Sequence, residues 1–387
     1  MTSRLTVLAV LFSLLAAACP EAQGRKNDGD GEGSAGASKK SAAVPVPPPK
    51  LAANAVVLDH LKKLGEACTV NIASAQAYQC KGREDETLRE WVATNKPKDL
   101  WETLASVVQN GDEKARAVAI AQLNGTYARM DNDLRKGNAT RGVSTALLDA
   151  LEKNDQHAFA LARPATYAAT LAGDNERRVR VTDALTNKDA KKQVYRSMMT
   201  HGRLELFPEI QKAAKTDELV VAALASPREL HKWTDAERSA VCPWAKGFLG
   251  DAKQEVAAEA GYLAVKCKGD LVDALLDEGD RRLAAKDFKN PFAMVFREIC
   301  FEFMSGVTGQ AGLDAQCKRN FAFLEKVAND ESVDSKVRGM SLWNIYYQRR
   351  NQESLDLMRK YEKHKDPEIQ KRAKEAIDSL TTTYKLK

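Results

Sequence analysis

The sequence has 387 residues, of which 44% are hydrophobic and 29% are charged, a balance typical of folded proteins rather than disordered or membrane-embedded chains. Its 59 basic and 53 acidic residues give a net charge of +6, and the two signs are interleaved along almost the whole chain. Nucleic-acid binding needs basic residues gathered on one face, so this pattern excludes a nucleic-acid partner from our expectations.

The first 18 residues have the pattern of a signal peptide. Arg4 supplies the positive charge, and a 14-residue apolar stretch runs from Leu5 to Ala18. That stretch is too short for a comfortable transmembrane span and has the right length for the apolar core of a signal peptide. It ends in three alanines directly before Cys19.

Residues 13–19, SLLAAAC, resemble the lipobox of bacterial lipoproteins. In that family the cysteine is lipidated on sulfur, the chain is cleaved just before it, and the new amino group is acylated. The resemblance implies that Cys19 is the lipid attachment site and that the protein is held on a membrane of the cell envelope, facing the periplasm or the cell surface. The alternatives are ordinary cleavage after Ala18, with release of a soluble protein, and an uncleaved segment.

Residues 19–50 are predicted to be a disordered tether. Beyond Cys19 this segment has almost no large apolar side chains and cannot offset the entropy of ordering. Its Gly/Ser-rich part predicts a flexible coil, and the VPVPPPK stretch that ends it predicts a stiffer polyproline II segment. Fully drawn out, the tether could reach about 100 Å.

From residue 51 onward the sequence predicts helices and little else. The clearest helix covers 368–380, where apolar residues recur at i, i+4, i+7, i+8 and i+11: Ile369, Ala373, Ala376, Ile377 and Leu380. Asp366 and Pro367 ahead of it supply an N-cap and a proline at the first helical position. We therefore predict an all-α fold.

Six cysteines remain after Cys19, an even number that fits three disulfides in an oxidising compartment. They form three near-neighbour couples whose separations suit the two arms of a helical hairpin. We predict the bonds Cys68–Cys80, Cys242–Cys267 and Cys300–Cys317. The alternative is that these residues are buried free thiols that pack as small hydrophobic side chains.

An aspartate recurs before five apolar-periodic segments, at Asp112, Asp174, Asp251, Asp330 and Asp366. Most of the intervals are near one or two units of about 36–40 residues, the length of a helix pair with its turns. The pattern of Asp–Pro or Asp–Glu, with a Val or Ala and an Arg or Lys about four or five residues on, resembles the HEAT-like family of α-solenoids.

That resemblance implies a right-handed α-solenoid of stacked antiparallel helix pairs over 101–387, with a concave face. Residues 51–100 would be an N-terminal helical segment or cap. The alternative is an irregular helical domain with ordinary cap signals. In either case we expect the aspartates to be helix caps and the arginines that follow them to form surface ion pairs.

The sequence offers no recognisable catalytic motif. It has no HExxH, GxSxG, P-loop or CxxCH pattern, and its five histidines are scattered. We therefore predict no catalytic residue, no cofactor and no metal site.

One stretch, LWNIYYQRR over 342–350, is rich in the residue types found at interaction hot spots. Its candidate partner-binding residues are Trp343, Tyr347, Arg349 and Arg350. The alternative is that these aromatic side chains fill the seam between neighbouring helices.

Together these features predict a lipid-anchored envelope protein that binds an unidentified envelope protein and has no catalytic step. The alternative is an envelope enzyme or ligand-binding protein whose site is assembled from helices distant in the sequence. Converging carboxylates or histidines in a concave pocket would favour that alternative.

Overall fold

A computed structural model describes residues 50–71, 78–97, 99–126, 140–199, 204–216, 218–228, 230, 233–300 and 311–387. These residues form seventeen α-helices, two short 3₁₀ helices and one pair of three-residue strands, so the all-α prediction is confirmed for the body of the chain. The predicted signal peptide, Cys19 and the tether up to residue 49 lie outside the described residues. Among the helices described, none is both long and apolar enough to cross a bilayer.

The first half of the body contains eight α-helices and the strand pair. In chain order these elements are α1 (Ala55–Ala67), β1 (Cys68–Val70), β2 (Tyr78–Cys80), α2 (Glu84–Asn95), α3 (Leu100–Asn110), α4 (Glu113–Thr126), α5 (Thr140–Glu152), α6 (Ala158–Ala172), α7 (Asn175–Ala184) and α8 (Lys188–Ser197).

The second half begins with a 3₁₀ helix and contains nine α-helices. In order they are a 3₁₀ helix (Leu204–Leu206), α9 (Phe207–Ala213), α10 (Val220–Arg228), α11 (Asp235–Lys246), α12 (Gln254–Cys267), α13 (Asp270–Ala284), a second 3₁₀ helix (Phe292–Arg297), α14 (Ala311–Asn329), α15 (Ser335–Gln348), α16 (Gln352–Tyr361) and α17 (Pro367–Thr382).

Helices two positions apart in the chain pack against each other. One series runs α4, α6, α8, α10 and α12, continues through the second 3₁₀ helix, and ends with α15 and α17. In the first half a second series runs α3, α5 and α7. Sequential neighbours such as α5 and α6, or α14 and α15, also pack together. Each helix therefore contacts the elements that are near it in sequence.

Two hydrophobic cores lie inside this body, and α12 contributes to both. Val256 and Leu263 belong to the first core, which extends back to Val57 in α1. Ala257 and Ala260 belong to the second core, which extends to the last helix. Two faces of one helix are thus buried in different clusters, as expected for a helix apolar around most of its circumference.

The three predicted disulfides are present. Cys242 in α11 and Cys267 in α12 join adjacent helices, with their Cα atoms 5.8 Å apart. Cys300 follows the second 3₁₀ helix and bonds to Cys317 in α14. The helical-hairpin geometry expected for all three pairs is therefore right only for Cys242–Cys267.

Cys68 and Cys80 are joined across the strand pair instead of across two helices. The strands are antiparallel, and Cys68 lies directly opposite Cys80 in the register. Three-residue strands carry too few residues for a visible alternation of apolar and polar side chains. The sequence pattern therefore did not predict these two strands. The disulfide joins the two residues that face each other, Cys68 and Cys80.

Two of the five predicted aspartate caps are confirmed by side-chain hydrogen bonds to the helix. The carboxylate of Asp366 accepts from the backbone N–H of Glu368 at 3.0 Å, and that of Asp112 accepts from Ala115 at 2.8 Å. Asp174 is the N-cap residue of α7, but its side chain accepts no capping bond.

The other two aspartates lie earlier than expected. Asp251 and Asp330 accept bonds from residues of the turns that precede α12 and α15, and those helices begin at Gln254 and Ser335. At α15 the capping side chain is Asp334. In both places the aspartate side chain accepts from the backbone N–H two residues on, the hydrogen bond of an Asx-turn.

The expectation that the following arginines form surface pairs is wrong at two positions. The side chains of Arg178 in α7 and Arg338 in α15 are 1% and 6% exposed. Both lie between packed helices. Their long apolar stems fill interhelical space that the sequence pattern had assigned to solvent.

Candidate partner-binding surface

The candidate surface is built on the outer face of α15. Leu342, Ile345 and Tyr346 point into the second core. Trp343 and Tyr347 lie on the opposite side, four residues apart and therefore on one face of the helix. Both are only partly buried against the core, so they pack in the seam between helices and also remain accessible.

Helix α17 runs parallel to α15 and completes this face. Residues later in α15 contact residues later in α17: Arg338 bonds to Asp366, and the hydroxyl of Tyr346 lies 2.6 Å from that of Ser379. One turn beyond Tyr346, α15 ends and the chain presents Arg350 towards the end of α17.

Arg350 lies against two tyrosine rings. Its guanidinium carbon is 5.0 Å from the ring centroid of Tyr347 and 5.2 Å from that of Tyr384, distances within the range of a cation–π contact. Tyr384, which follows α17, is 37% exposed. The Nε atom of Arg350 is buried without a hydrogen-bond partner, and no ion pair to Arg350 occurs among the described residues.

Arg349 points to the other side of α15 and is already paired. It lies 4.9 Å from the ring of Phe321 in α14 and forms a 2.9 Å ion pair with Glu353. Its Nε also donates to the hydroxyl of Ser354 at 3.1 Å. The two adjacent arginines therefore have different roles, and the structure separates Arg349 from the other three predicted residues.

Trp343 has a cationic neighbour of its own. The guanidinium of Arg372 in α17 lies 5.8 Å from its ring and is held there by Glu368 and Glu375 at 2.9 and 3.2 Å. We use the name aromatic–arginine surface for the set on the α15–α17 side: Trp343, Tyr347, Arg350, Arg372 and Tyr384.

Two members of this surface, Arg372 and Tyr384, were not found by sequence reasoning. They belong to a different helix and its C-terminal extension, so no periodicity links them to residues 343–350. The available signal was weak: an arginine in a charged helix and a lone tyrosine near the end of the chain.

The C-terminal segment that carries part of this surface is rich in basic residues. Residues 349–387 contain eleven lysines and arginines against seven aspartates and glutamates. Five of the seven acidic side chains are already in ion pairs, whereas Glu362 and Asp378 form none with the other described residues. Within the part of the chain that the structure describes, seven basic side chains of the same range have no ion pair: Arg350, Lys360, Lys363, Lys371, Lys374, Lys385 and Lys387.

Two cavities elsewhere bear on the alternative of an enzyme. One of about 240 Å³ lies between α3 and α5 and is lined by Ser106, Gln109 and Thr145, with no carboxylate or histidine. The other, about 190 Å³, lies beside α1 and α2 and brings together one histidine, His60, and one carboxylate, Glu84. Neither cavity gathers several groups suited to acid–base chemistry.

Glu84 also lies near two sulfur atoms. Ligand atoms of Cys68, Cys80 and Glu84 are within 4.8 Å of one another, a spacing that could hold a metal ion. The two sulfurs are bonded to each other, however, so neither is available as a thiolate ligand.

We compared the sequence with protein families and with curated proteins. No protein-family model matches the sequence, and no curated protein matches it either.

Proposed function

We propose that this chain is a lipid-anchored protein of the bacterial cell envelope whose helical body is a HEAT-like α-solenoid that binds another envelope protein. The partner contacts the aromatic–arginine surface at the last helices. Cys19 carries the lipid, and residues 20–50 hold the body away from the membrane.

One observation carries the binding function: the Arg350 guanidinium lies against Tyr347 and Tyr384, and no carboxylate of a described residue pairs with it. Aromatic rings and arginine that are partly exposed and already positioned lose little side-chain entropy on association.

Two further observations support the architecture and the location. The packing of helices two positions apart is the arrangement that a solenoid of helix pairs produces. Three disulfides are typical of an oxidising compartment such as the periplasm, which the signal-peptide pattern also predicts.

The test of the binding function is site-specific photo-crosslinking in cells. A photoreactive amino acid at Trp343 or Tyr347 should capture the same envelope protein. The matched control is Val56 in α1, which is 47% exposed and far from the surface in the sequence. Equal capture from Val56, or capture of nothing at positions 343 and 347 by a folded protein, would overturn this function.

The anchor is tested separately by the intact mass of the membrane-extracted protein. We expect the loss of residues 1–18 and the addition of acyl chains, and the Cys19→Ala variant should lose both the acyl mass and membrane retention. A wild-type chain cleaved after Ala18 without added lipid would contradict the anchor while leaving the binding surface untouched.

A further inference from the structure

Arg350 differs from the other stacked arginines of this region in its lack of a carboxylate. Arg349 has Glu353, and Arg372 has Glu368 and Glu375. Stacking on aromatic rings occupies the faces of a guanidinium and leaves its N–H edge free. Each of these arginines can therefore still bind a carboxylate through its N–H edge. Among the described residues, Arg350 is the one of the three that has no such partner.

A carboxylate is the group best suited to accept hydrogen bonds from the free N–H edge of Arg350. The guanidinium edge presents N–H donors in a fixed fork that matches two carboxylate oxygens. The tyrosine rings limit the rotation of the side chain, so the fork is held in place before a ligand arrives. An apolar ligand would leave the donors unsatisfied, and a second cation would be repelled.

The surroundings favour a ligand that carries several negative charges. Residues 349–387 contain seven basic and two acidic side chains that form no ion pair with any residue the structure describes. An isolated carboxylate would gain little from this excess at physiological ionic strength, where charges more than about 8 Å apart are screened. A segment with successive acidic residues gains from several of these cations at once and is steered towards the surface.

We propose that the aromatic–arginine surface binds an acidic peptide segment of the partner, with one of its Asp or Glu carboxylates on the guanidinium of Arg350. This inference rests on the proposed function, because it names the chemistry of the protein that the surface binds. Trp343 and Tyr347 supply apolar contact beside the carboxylate, and the unpaired lysines supply the long-range attraction.

The probe is a fluorescently labelled peptide of ten glutamates, titrated by anisotropy against the full-length chain in detergent. A ten-glutamine peptide is the uncharged comparison. Hydrogen bonds to charged groups contribute about 1.5–3 kcal/mol, so Arg350→Gln should weaken binding by about tenfold or more. Arg350→Lys keeps the charge but loses the planar fork, and its affinity should fall between those of wild type and Arg350→Gln.

Two matched variants separate this site from general electrostatic attraction. Arg349→Gln removes the adjacent arginine, which is already paired, and should change the affinity by less than about twofold. Lys374→Gln removes an unpaired charge without a stacked ring and should have a similarly small effect at 0.15 M salt. Thermal unfolding of each variant establishes that it is folded.

The inference is overturned if Arg350→Gln binds the peptide as tightly as wild type, or loses no more affinity than Lys374→Gln. It is also overturned if vesicles with anionic lipid bind through Arg350 and the acidic peptide does not, since the ligand would then be a membrane. Photo-crosslinking distinguishes a failure of this inference from a failure of the proposed function. If a partner is captured at Trp343 but the acidic peptide does not bind, the proposed function stands and only this inference is wrong.

Discussion

Arg116 in α4 and Arg338 in α15 occupy the same structural position near opposite ends of the body. Each lies four residues after an aspartate that caps its helix, Asp112 or Asp334. The Nε atom of each donates to a carbonyl at the end of the preceding helix, to Val108 at 2.9 Å and to Ala328 at 3.0 Å.

The terminal nitrogens of the two arginines also have equivalent partners. Arg116 bonds to Asp155, before α6, at 2.9 Å, and Arg338 bonds to Asp366, before α17, at 3.1 Å. In both cases one arginine ties three elements together: its own helix, the one before it and the helix two positions later. The same set of contacts thus occurs at two places in the body.

Arg338→Met should lower the free energy of unfolding by about 2–3 kcal/mol, because it removes charged hydrogen bonds and leaves Asp366 without its cation. Urea unfolding followed by circular dichroism measures the change. Arg359→Met is the control, since the Arg359–Asp356 pair is about half exposed and should contribute less than about 1 kcal/mol. Equal losses would mean that Arg338 acts only through its apolar stem.

Asp366 makes the stability depend on pH. The hydroxyl of Ser335, the backbone N–H groups of Glu368 and Ile369, and Arg338 together hold the pKa of Asp366 below its usual value. A carboxylate with a lowered folded-state pKa stabilises the protein above its unfolded-state pKa, and this contribution is lost as the pH falls through the folded-state pKa.

We therefore expect wild type to lose more stability than Asp366→Asn when the pH is lowered from 6 to 3. Asparagine keeps an oxygen for the N-cap, so the comparison isolates the charge. Urea midpoints at five pH values between these limits provide the measurement. Parallel curves for the two proteins would show that Asp366 does not contribute to acid unfolding.

Arg178 should destabilise the protein at neutral pH. Its three guanidinium nitrogens are buried without a hydrogen-bond partner among the described residues, and burial lowers the pKa of Arg178 to about 10 despite nearby Glu209. Arg178→Met, which keeps the volume and removes the buried charge, should raise the free energy of unfolding by about 1–4 kcal/mol.

The gain from Arg178→Met should shrink above pH 10. A base whose folded-state pKa is lowered costs stability while it is charged in the folded state. This cost begins to fall as the pH rises above the folded-state pKa and is gone only above the unfolded-state pKa. Arg282→Met is the control: Arg282 is equally buried, but it bonds to Glu278 at 2.7 Å, so its replacement should destabilise. A loss of stability in Arg178→Met would show that the guanidinium has a favourable partner.

Two glycines in helices should respond to alanine in opposite directions. A Cβ atom at Gly279 in α13 would lie 2.6 Å from Phe296 and 2.9 Å from Phe323, so Gly279→Ala should cost about 1–3 kcal/mol through overpacking. A Cβ atom at Gly125 in α4 meets nothing within 4 Å, and Gly125→Ala should add up to about 1 kcal/mol of helix propensity. Thermal unfolding of both variants tests the packing of the second core directly.

The parts of the fold that depend on local sequence were predictable. Helix α17 begins at Pro367 after the Asp366 cap, and Ile369, Ala373 and Leu380 are buried as their spacing predicts. Caps and a 3.6-residue period act within a few residues, so the pattern contains the information. The disulfide pairing was predictable for a similar reason, since each bond joins near neighbours in the chain.

The relations between helices were not predictable. The burial of Arg178 and the contact between Arg350 and Tyr384 depend on which helices pack together, and no local pattern encodes that choice. The candidate surface was therefore found only as a cluster of residue types on α15. Its second half, and the difference between Arg349 and Arg350, required the packed structure.

The position of α12 in both cores determines how the body can be divided. A fragment that stops before Gln254 would leave the first core without Val256 and Leu263, and a fragment that starts after Cys267 would leave the second core without Ala257 and Ala260. Neither half is complete without this helix, so an isolated half would expose an apolar surface to solvent. Fragments that contain only one half of the body should consequently fold poorly. A destabilising substitution in α12 should lower the stability of both cores.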